Sequence, residues 1–314
     1  MIPALVLTAG LATRLRPLSS VRAKAALPVA GEPLARRILR TLRAGGITDA
    51  VLNLHHLPHT LTRHIGDGSD LDMRVRYSWE TPVLGSAGGP KRALPLLDAS
   101  TFLIVNGDTL TNVDLAALVA AHGRSGALVT MAVVPNRQPE KYGGVVIDDR
   151  HVVTGFARRG AAQHSYHFIG VQVAQAEAFA SVPDHVPYES VSALYPALLA
   201  ARAGAIRAHV CDAEFFDIGT PSDYLSTALL LATRDGRTTP HGARTVVDPT
   251  ARIEDSVLWD DVEVGAGAML RQCVVTDGTC VPADTSWIGV TIRPADGDLM
   301  PGERRIDQMA IASL

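Results

Sequence analysis

Residues 5–18, Leu-Val-Leu-Thr-Ala-Gly-Leu-Ala-Thr-Arg-Leu-Arg-Pro-Leu, constrain this chain more than any other stretch. The apolar run Leu5, Val6 and Leu7 predicts a short buried strand. Ala9, Gly10, Leu11 and Ala12 then turn the chain, and Thr13, Arg14, Leu15 and Arg16 follow. A loop of small residues after a first strand lets backbone N–H groups approach a phosphate chain. Arg14 adds a guanidinium fork, and Lys24, beyond the Pro17-Leu18 corner, adds a point charge. On spacing alone, a plain βα turn with solvated arginines fits equally well.

Bulk properties narrow the partners. A length of 314 residues leaves room for a full core and two domains. The net charge of −3 offers no field for a polyanion, so nucleic acid is not an expected partner. No apolar run approaches the ~20 residues that span a bilayer, so no membrane partner is expected either. Met-Ile-Pro-Ala lacks the basic start of a signal peptide. Cys211, Cys273 and Cys280 form no C-x-x-C pair, which points to reduced thiols, a cytoplasmic location and no zinc.

The rest of the chain alternates. Pro33 opens a helix with Leu34, Ile38, Leu39 and Leu42 on one face, stopped by Gly45-Gly46. A strand at Ala50–Leu54 precedes a helix from Pro58, and His55, His56 and His59 at that junction read as surface or pocket-rim residues. Strand, helix and strand recur at Arg74–Ser78, Ala87–Leu97 and Phe102–Asn106. Thr111 or Asn112 then caps a helix carrying Leu115, Leu118, Val119 and His122, and Leu128–Val134 is a further strand. This βαβα order predicts an α/β fold with a mostly parallel sheet, whose ligands bind beyond the carboxyl ends of the strands. Gly144–Ile147, Val152–Ala157 and Tyr166–Val173 read as an antiparallel insertion walling a pocket. A helix near Glu189–Ala203 and a strand at Ala205–Cys211 return to the sheet. Thr220 and Pro221 start a last helix as N-cap and first helical residue, ending near Asp235-Gly236.

Arg237–Ala243 reads as a linker. Beyond it Leu258, Val264 and Leu270 recur every six residues, as do Val262, Ala268, Val274 and Cys280. That period predicts a short left-handed parallel β-helix of two to three coils, with an open end suited to homo-oligomer assembly; two ordinary hairpins are the plainer alternative. The expected organisation is 1–236 catalytic, 244–292 β-helix and 293–314 a loosely attached tail.

Asn106-Gly107-Asp108 puts a carboxylate at a strand end, and Asp217 precedes the last helix. Each is explicable as turn chemistry alone. Opposite a cationic phosphate cradle, two such carboxylates suit a Mg²⁺-nucleotide, because Mg²⁺ takes one or two protein carboxylates plus phosphate oxygens.

Together these stretches resemble the sugar-1-phosphate nucleotidyltransferases. The loop resembles A-G-x-G-T-R-L-x-P-L followed by P-K-P, with Ala12 in place of the second glycine and Ala23 and Ala25 in place of the prolines. Asp108 falls on the family's strand-end aspartate and Asp217–Pro221 on its D-x-G-T-P motif. Glu80–Gly89 resembles E-x-x-x-L-G-T-A-G-A, and Phe156–Gly160 resembles F-x-E-K-P with Arg158 in place of the glutamate and Arg159 in place of the lysine. The resemblance implies a Rossmann-like catalytic domain of the nucleotide-diphospho-sugar transferase type. It also implies attack of a sugar 1-phosphate oxygen on the α-phosphorus of a nucleoside triphosphate, with pyrophosphate leaving and Mg²⁺ as cofactor.

By that resemblance Arg14, Lys24 and Asp108 are catalytic, with Arg14 at the departing pyrophosphate and Lys24 at the α-phosphate. Asp108 and Asp217 hold the metal. Ala9, Gly10, Thr13, Arg14, Glu80, Gly85, Ser86, Ala87 and Gly88 bind the nucleotide, and Tyr142, Gly143, Arg158, Arg159 and Gly170 the sugar phosphate. The motif set with its hexapeptide tail is most like mannose-1-phosphate guanylyltransferases. Uridylyl or thymidylyl transfer to another sugar, an acidic one paired with Arg158 included, is the alternative. So is a catalytically silent regulatory homologue. A dinucleotide oxidoreductase is excluded, since the loop lacks G-x-G-x-x-G and the second strand ends in Asn53-Leu54.

Overall fold

Continuous apolar runs, the signature of strands covered on both faces, become the strands of a nine-stranded sheet. The computed structural model describes residues 2–236 and 241–314, and they fall into two compact units. The first contains the chain as far as Gly10, Ile38–Pro58 and Ile65–Phe216. The second contains Leu11–Arg37, His59–His64 and Asp217–Leu314.

In the first unit, β1 (Ala4–Leu7), β2 (Asp49–Leu54), β3 (Arg74–Trp79) and β4 (Thr101–Asn106) lie in the order β4-β1-β2-β3, all parallel. Beyond a short strand β5 (Thr109–Thr111), β6 (Val129–Pro135), β7 (Gly144–Ile147), β8 (Val153–Ala157), β9 (Tyr166–Gln175) and β10 (Ile206–Val210) complete the sheet. Helix α1 (Leu34–Ala44) and helix α2 (Pro58–Ile65) follow the first two parallel crossings. Helix α3 (Gly85–Leu97) packs on β1 and β2, α4 (Leu115–Ser125) on β6, and α5 (Tyr195–Ala201) on β8 and β10. Leu5, Val51, Phe102, Ile104, Met131 and Phe179 anchor the core, each no more than 1% exposed.

Three local expectations change. Asp114, rather than Thr111 or Asn112, caps α4: its carboxylate accepts a hydrogen bond from Ala117 N–H at 2.9 Å, while Thr111 Oγ1 donates to Glu214 O and Asn112 Oδ1 accepts from Glu214 N–H. The stretch from Tyr166 is no insertion. It is the longest strand of the sheet, antiparallel to both β4 and β6, and only β7 and β8 extend outward from it. The helix expected over Glu189–Ala203 is a π-turn, Ser190–Leu194, continued by α5.

In the second unit, Thr220 caps α6 (Pro221–Arg234) by accepting from Asp223 N–H at 3.1 Å, with Pro221 in the first turn. The linker read at Arg237–Ala243 lies, for residues 237–240, outside the described residues. Parallel ladders then stack Val246 on Glu263 on Cys280, Arg252 on Met269 on Ser286, and Val257 on Val274 on Thr291. The coil is therefore 17 residues long, one short of three hexapeptides. Val262, Ala268 and Val274 are buried as expected, but with the missing residue Cys273 is buried beside Val274 and Cys280, expected in that series, is exposed.

Residues 293–314 are not a loose tail. Arg304–Ile306 and Met309–Ser313 add antiparallel to Val290–Pro294, and Met309 and Ile311 are each 1% exposed. Arg293 and Glu303 join at 2.8 and 2.6 Å with side chains 7% and 1% exposed. Burial alone would raise the Glu303 pKa, but the hydrogen bonds from Arg293 and Met300 N–H, with the Arg293 charge, together outweigh it and hold the carboxyl below its ordinary value. Sequence pattern missed this because the strands are short and separated by a polar turn.

Candidate active site

The carboxyl ends of β1, β2 and the following turn are lashed together in the first unit. Thr8 N–H donates to Asn53 Oδ1 at 2.6 Å, and Thr8 Oγ1 donates to Asn53 O. Asn53 Nδ2 donates to Glu80 Oε1 at 2.7 Å, and Leu84 N–H to Glu80 Oε2 at 2.8 Å. Glu80 is 2% exposed, so both its oxygens serve the frame of the turn that leads into α3. A side chain on Gly89 would meet Glu80 Oε1 at 2.7 Å and Asn53 Nδ2 at 2.9 Å, which is why the helix needs a glycine there.

Gly85, Ser86, Ala87 and Gly88 form the first turn of α3. The segment before α5 grips that turn: Ala87 and Gly88 N–H both donate to Tyr188 O, and Ser86 Oγ donates to Glu189 Oε2 at 2.6 Å. Ala9 and Gly10 follow β1, Ala9 buried and Gly10 exposed. Asp108 follows β4, where Gly107 N–H donates to Leu7 O at 2.9 Å and Thr109 Oγ1 donates to Asp108 Oδ1 at 3.2 Å. Gly170 lies at the bulge of β9 beside Asn106 and Thr109.

A cavity of about 380 Å³ opens beside Tyr142, lined also by Asn136, Arg137, His167, Asp212 and Phe215. The His167 ring lies against Tyr142, centroids 4.1 Å apart, and against Phe215 at 4.7 Å. Burial pushes the His167 pKa down to about 4, so the ring is neutral near pH 7. Gly143 adjoins Tyr142 before β7, whereas Arg158 and Arg159 stand exposed on the turn after β8. The structure does not bring those two arginines to the cavity lining.

The cationic residues lie in the second unit. Ala12 has the left-handed conformation, φ 47°, that glycine adopts without cost. Ser19 Oγ donates to Ala12 O at 2.9 Å, and Leu15 N–H donates to the same oxygen at 3.0 Å, closing the loop over Thr13 and Arg14. A side chain built on Gly219 would come within 3.8 Å of Arg14 Nη1, 3.5 Å of Asp217 Oδ2 and 3.2 Å of Asp223 Oδ2. Arg14 and Asp217 thus flank one glycine. Lys24 opens a one-turn helix, Lys24–Ala26, whose Ala25 and Ala26 are buried.

Arg22, two residues earlier, has a side chain 2% exposed. It donates to Asp277 through Nε at 2.7 Å and Nη2 at 2.6 Å, and to Asp260 through Nη2 at 2.6 Å. Its guanidinium carbon sits 5.4 Å from the centre of the Trp259 ring, and Trp259 Nε1 donates to Tyr224 Oη, which donates to Pro28 O. Burial alone would lower the Arg22 pKa, but Asp277 and Asp260 outweigh it and raise it above the usual guanidinium value. Removing one partner from such a buried pair costs about 3–5 kcal/mol.

A family model described as nucleotidyl transferase matches residues 3–234. The chain belongs to the nucleotidyl transferase family. A second model, the GlmU-like C-terminal hexapeptide, matches residues 241–296. This nucleotidyl transferase is 29% identical over 293 residues to the mannose-1-phosphate guanylyltransferase of Mycobacterium tuberculosis, covering 90% of this chain and 82% of the relative. It is 42% identical over 115 residues to the N-acetylmuramate alpha-1-phosphate uridylyltransferase of Neisseria meningitidis, covering 36% of this chain and 50% of that one. HddC from Yersinia pseudotuberculosis shares its fold, with a TM-score of 0.65 at 22% identity over 74% of this chain and 100% of that chain. The protein is a sugar-1-phosphate nucleotidyltransferase.

Arg14, Lys24, Asp108 and Asp217 are candidates in this nucleotidyl transferase because each lies inside a short local motif that carries the resemblance. Asn53, Glu189, His167 and Arg22 had no such signal. Their partners come from distant strands and coils, and no spacing in the chain signals them. Asp223 had a signal: Thr220-x-x-Asp223 is a helix-start pattern.

Proposed function

We propose that the chain transfers a guanylyl group from GTP to mannose 1-phosphate and releases pyrophosphate. The observation that supports this reading is the recurrence of mannose-1-phosphate guanylyl- or guanyltransferases, each 29% identical, among relatives that match about nine-tenths of the chain. A sugar 1-phosphate oxygen attacks the α-phosphorus in line, the bond to the pyrophosphate oxygen breaks, and the nucleophile, already anionic, needs no general base. Arg14 takes charge on the departing pyrophosphate and Lys24 charge on the α-phosphate. Asp108 and Asp217 each carry hard carboxylate oxygens of the kind Mg²⁺ accepts. Bound Mg²⁺ would neutralise triphosphate charge. The first turn of α3 faces the base, and Tyr142, Gly143 and Gly170 the sugar. Three unpaired cysteines fit a reducing cytoplasm, and no helix among the described residues is long and apolar enough to cross a membrane.

A second reading is uridylyl transfer to an anionic sugar 1-phosphate. The 42% match over 115 residues to an enzyme named for N-acetylmuramate favours it.

Pyrophosphate release, followed with Mg²⁺ over four nucleoside triphosphates against mannose, glucose and N-acetylmuramate 1-phosphates, separates the two. Turnover confined to GTP and mannose 1-phosphate supports the first; UTP with the carboxylated sugar overturns it in favour of the second. Lys24→Ala should lower kcat by about 10²–10³-fold on whichever pair is productive.

A further inference from the structure

We propose that Arg22 is a positioning residue for Lys24, and that the β-helix, through Asp260 and Asp277, thereby sets the alignment of the phosphate-binding segment. The proposal rests on the reading of Lys24 as a phosphate contact.

The stretch from Arg22 to Leu27 is held along its length. Arg22 N–H donates to Leu18 O at 3.3 Å, and its side chain is fixed by two carboxylates from successive coils. Ala23 N–H donates to Thr60 Oγ1 at 3.0 Å. Ala26 N–H donates to Ala23 O at 2.8 Å and Leu27 N–H to Lys24 O at 3.1 Å, closing a single tight turn around Lys24. A turn this short holds its shape only through what grips its ends. At its N-terminal end the grip is a bidentate, buried guanidinium. Asp260 N–H also donates to Asp277 Oδ1 at 3.1 Å, so the two acceptors are themselves tied in place. The Arg22 guanidinium is committed to the two aspartates. It acts by fixing the peptide two residues before a lysine whose displacement by a fraction of an ångström lowers turnover.

Two readouts test this. The first is hydrogen exchange at the Ala26 and Leu27 amides, which needs no substrate. The second is kcat and KM on the productive pair. In Asp260→Asn/Asp277→Asn we expect faster exchange at both amides, kcat lower by about tenfold, and KM for the triphosphate within about twofold of wild type. Arg22→Lys, which can still bridge one aspartate, should recover part of the kcat. Asp261→Asn breaks the exposed Arg244–Asp261 pair in the same β-helix and should change neither readout. Should the double variant fail to fold, Arg22→Met/Asp260→Asn/Asp277→Asn strands no buried charge and is measured instead. Unchanged exchange and unchanged kcat in the folded variants overturn the proposal, as does an equal fall in kcat for Asp261→Asn. Full turnover in Lys24→Ala overturns the reading of Lys24 itself, whereas faster exchange would still establish the tie between coil and turn.

Discussion

Ala12 occupies the position where the resemblance has a glycine, and it carries the backbone conformation that glycine would carry. A left-handed conformation costs a non-glycine residue roughly 1–2 kcal/mol, while glycine at the same place gives back about 0.5–1 kcal/mol through its freer unfolded chain. Ala12→Gly should therefore leave the protein as stable or raise its melting temperature by about 1–3 °C, read by calorimetry, without loss of turnover. The loop survives with alanine because Ser19 and Leu15 both donate to Ala12 O. At this scale the sequence was informative wherever a residue acts through its own neighbours. It was silent for Arg22, whose partners lie 238 and 255 residues away.

Among the elements, the parallel strands and amphipathic helices were readable because each announces its period within about ten residues. What was not readable is how strands choose partners. The strand from Tyr166 carries the same apolar pattern whether it forms an outlying hairpin or the centre of the sheet, and only its pairing with both β4 and β6 decides. The C-terminal strands were hidden because they are short and separated by a polar turn, and the pattern does not show the buried Arg293–Glu303 pair beside them. Glu303→Gln leaves that guanidinium partly uncompensated and should cost about 3 kcal/mol. Limited proteolysis should then cut within residues 295–314 at temperatures where the parent chain resists.

For the molecule as a whole, protonation sets an acid limit. His167 has its pKa pushed down to about 4, and burial lowers those of His64, His122, His209 and His241. With an unfolded value near 6.5, the unfolded chain binds protons that these folded histidines refuse. Stability is complete above about pH 6.5 and is lost as pH falls towards 4. Asp67, Asp148, Asp248 and Asp261, all held below their ordinary values, extend the loss to lower pH in the same direction. Denaturant midpoints should fall steadily from pH 7 to pH 5, with about 2 kcal/mol of the change removed in His167→Gln.

The 17-residue coil turns Arg22 into a gauge. Adjacent coils of parallel strands stand about 4.8 Å apart, and that is the spacing one guanidinium spans when it grips Asp260 and Asp277. A solenoid lengthens by whole coils without disturbing its neighbours. Here a 17-residue coil inserted after residue 281 should be accommodated with turnover intact. The same coil inserted between 261 and 276 doubles the gap to about 9.6 Å, beyond any single side chain's fork, and should cost turnover even though the added coil is well formed. One interval of this β-helix is fixed in length by a residue from the opposite end of the chain.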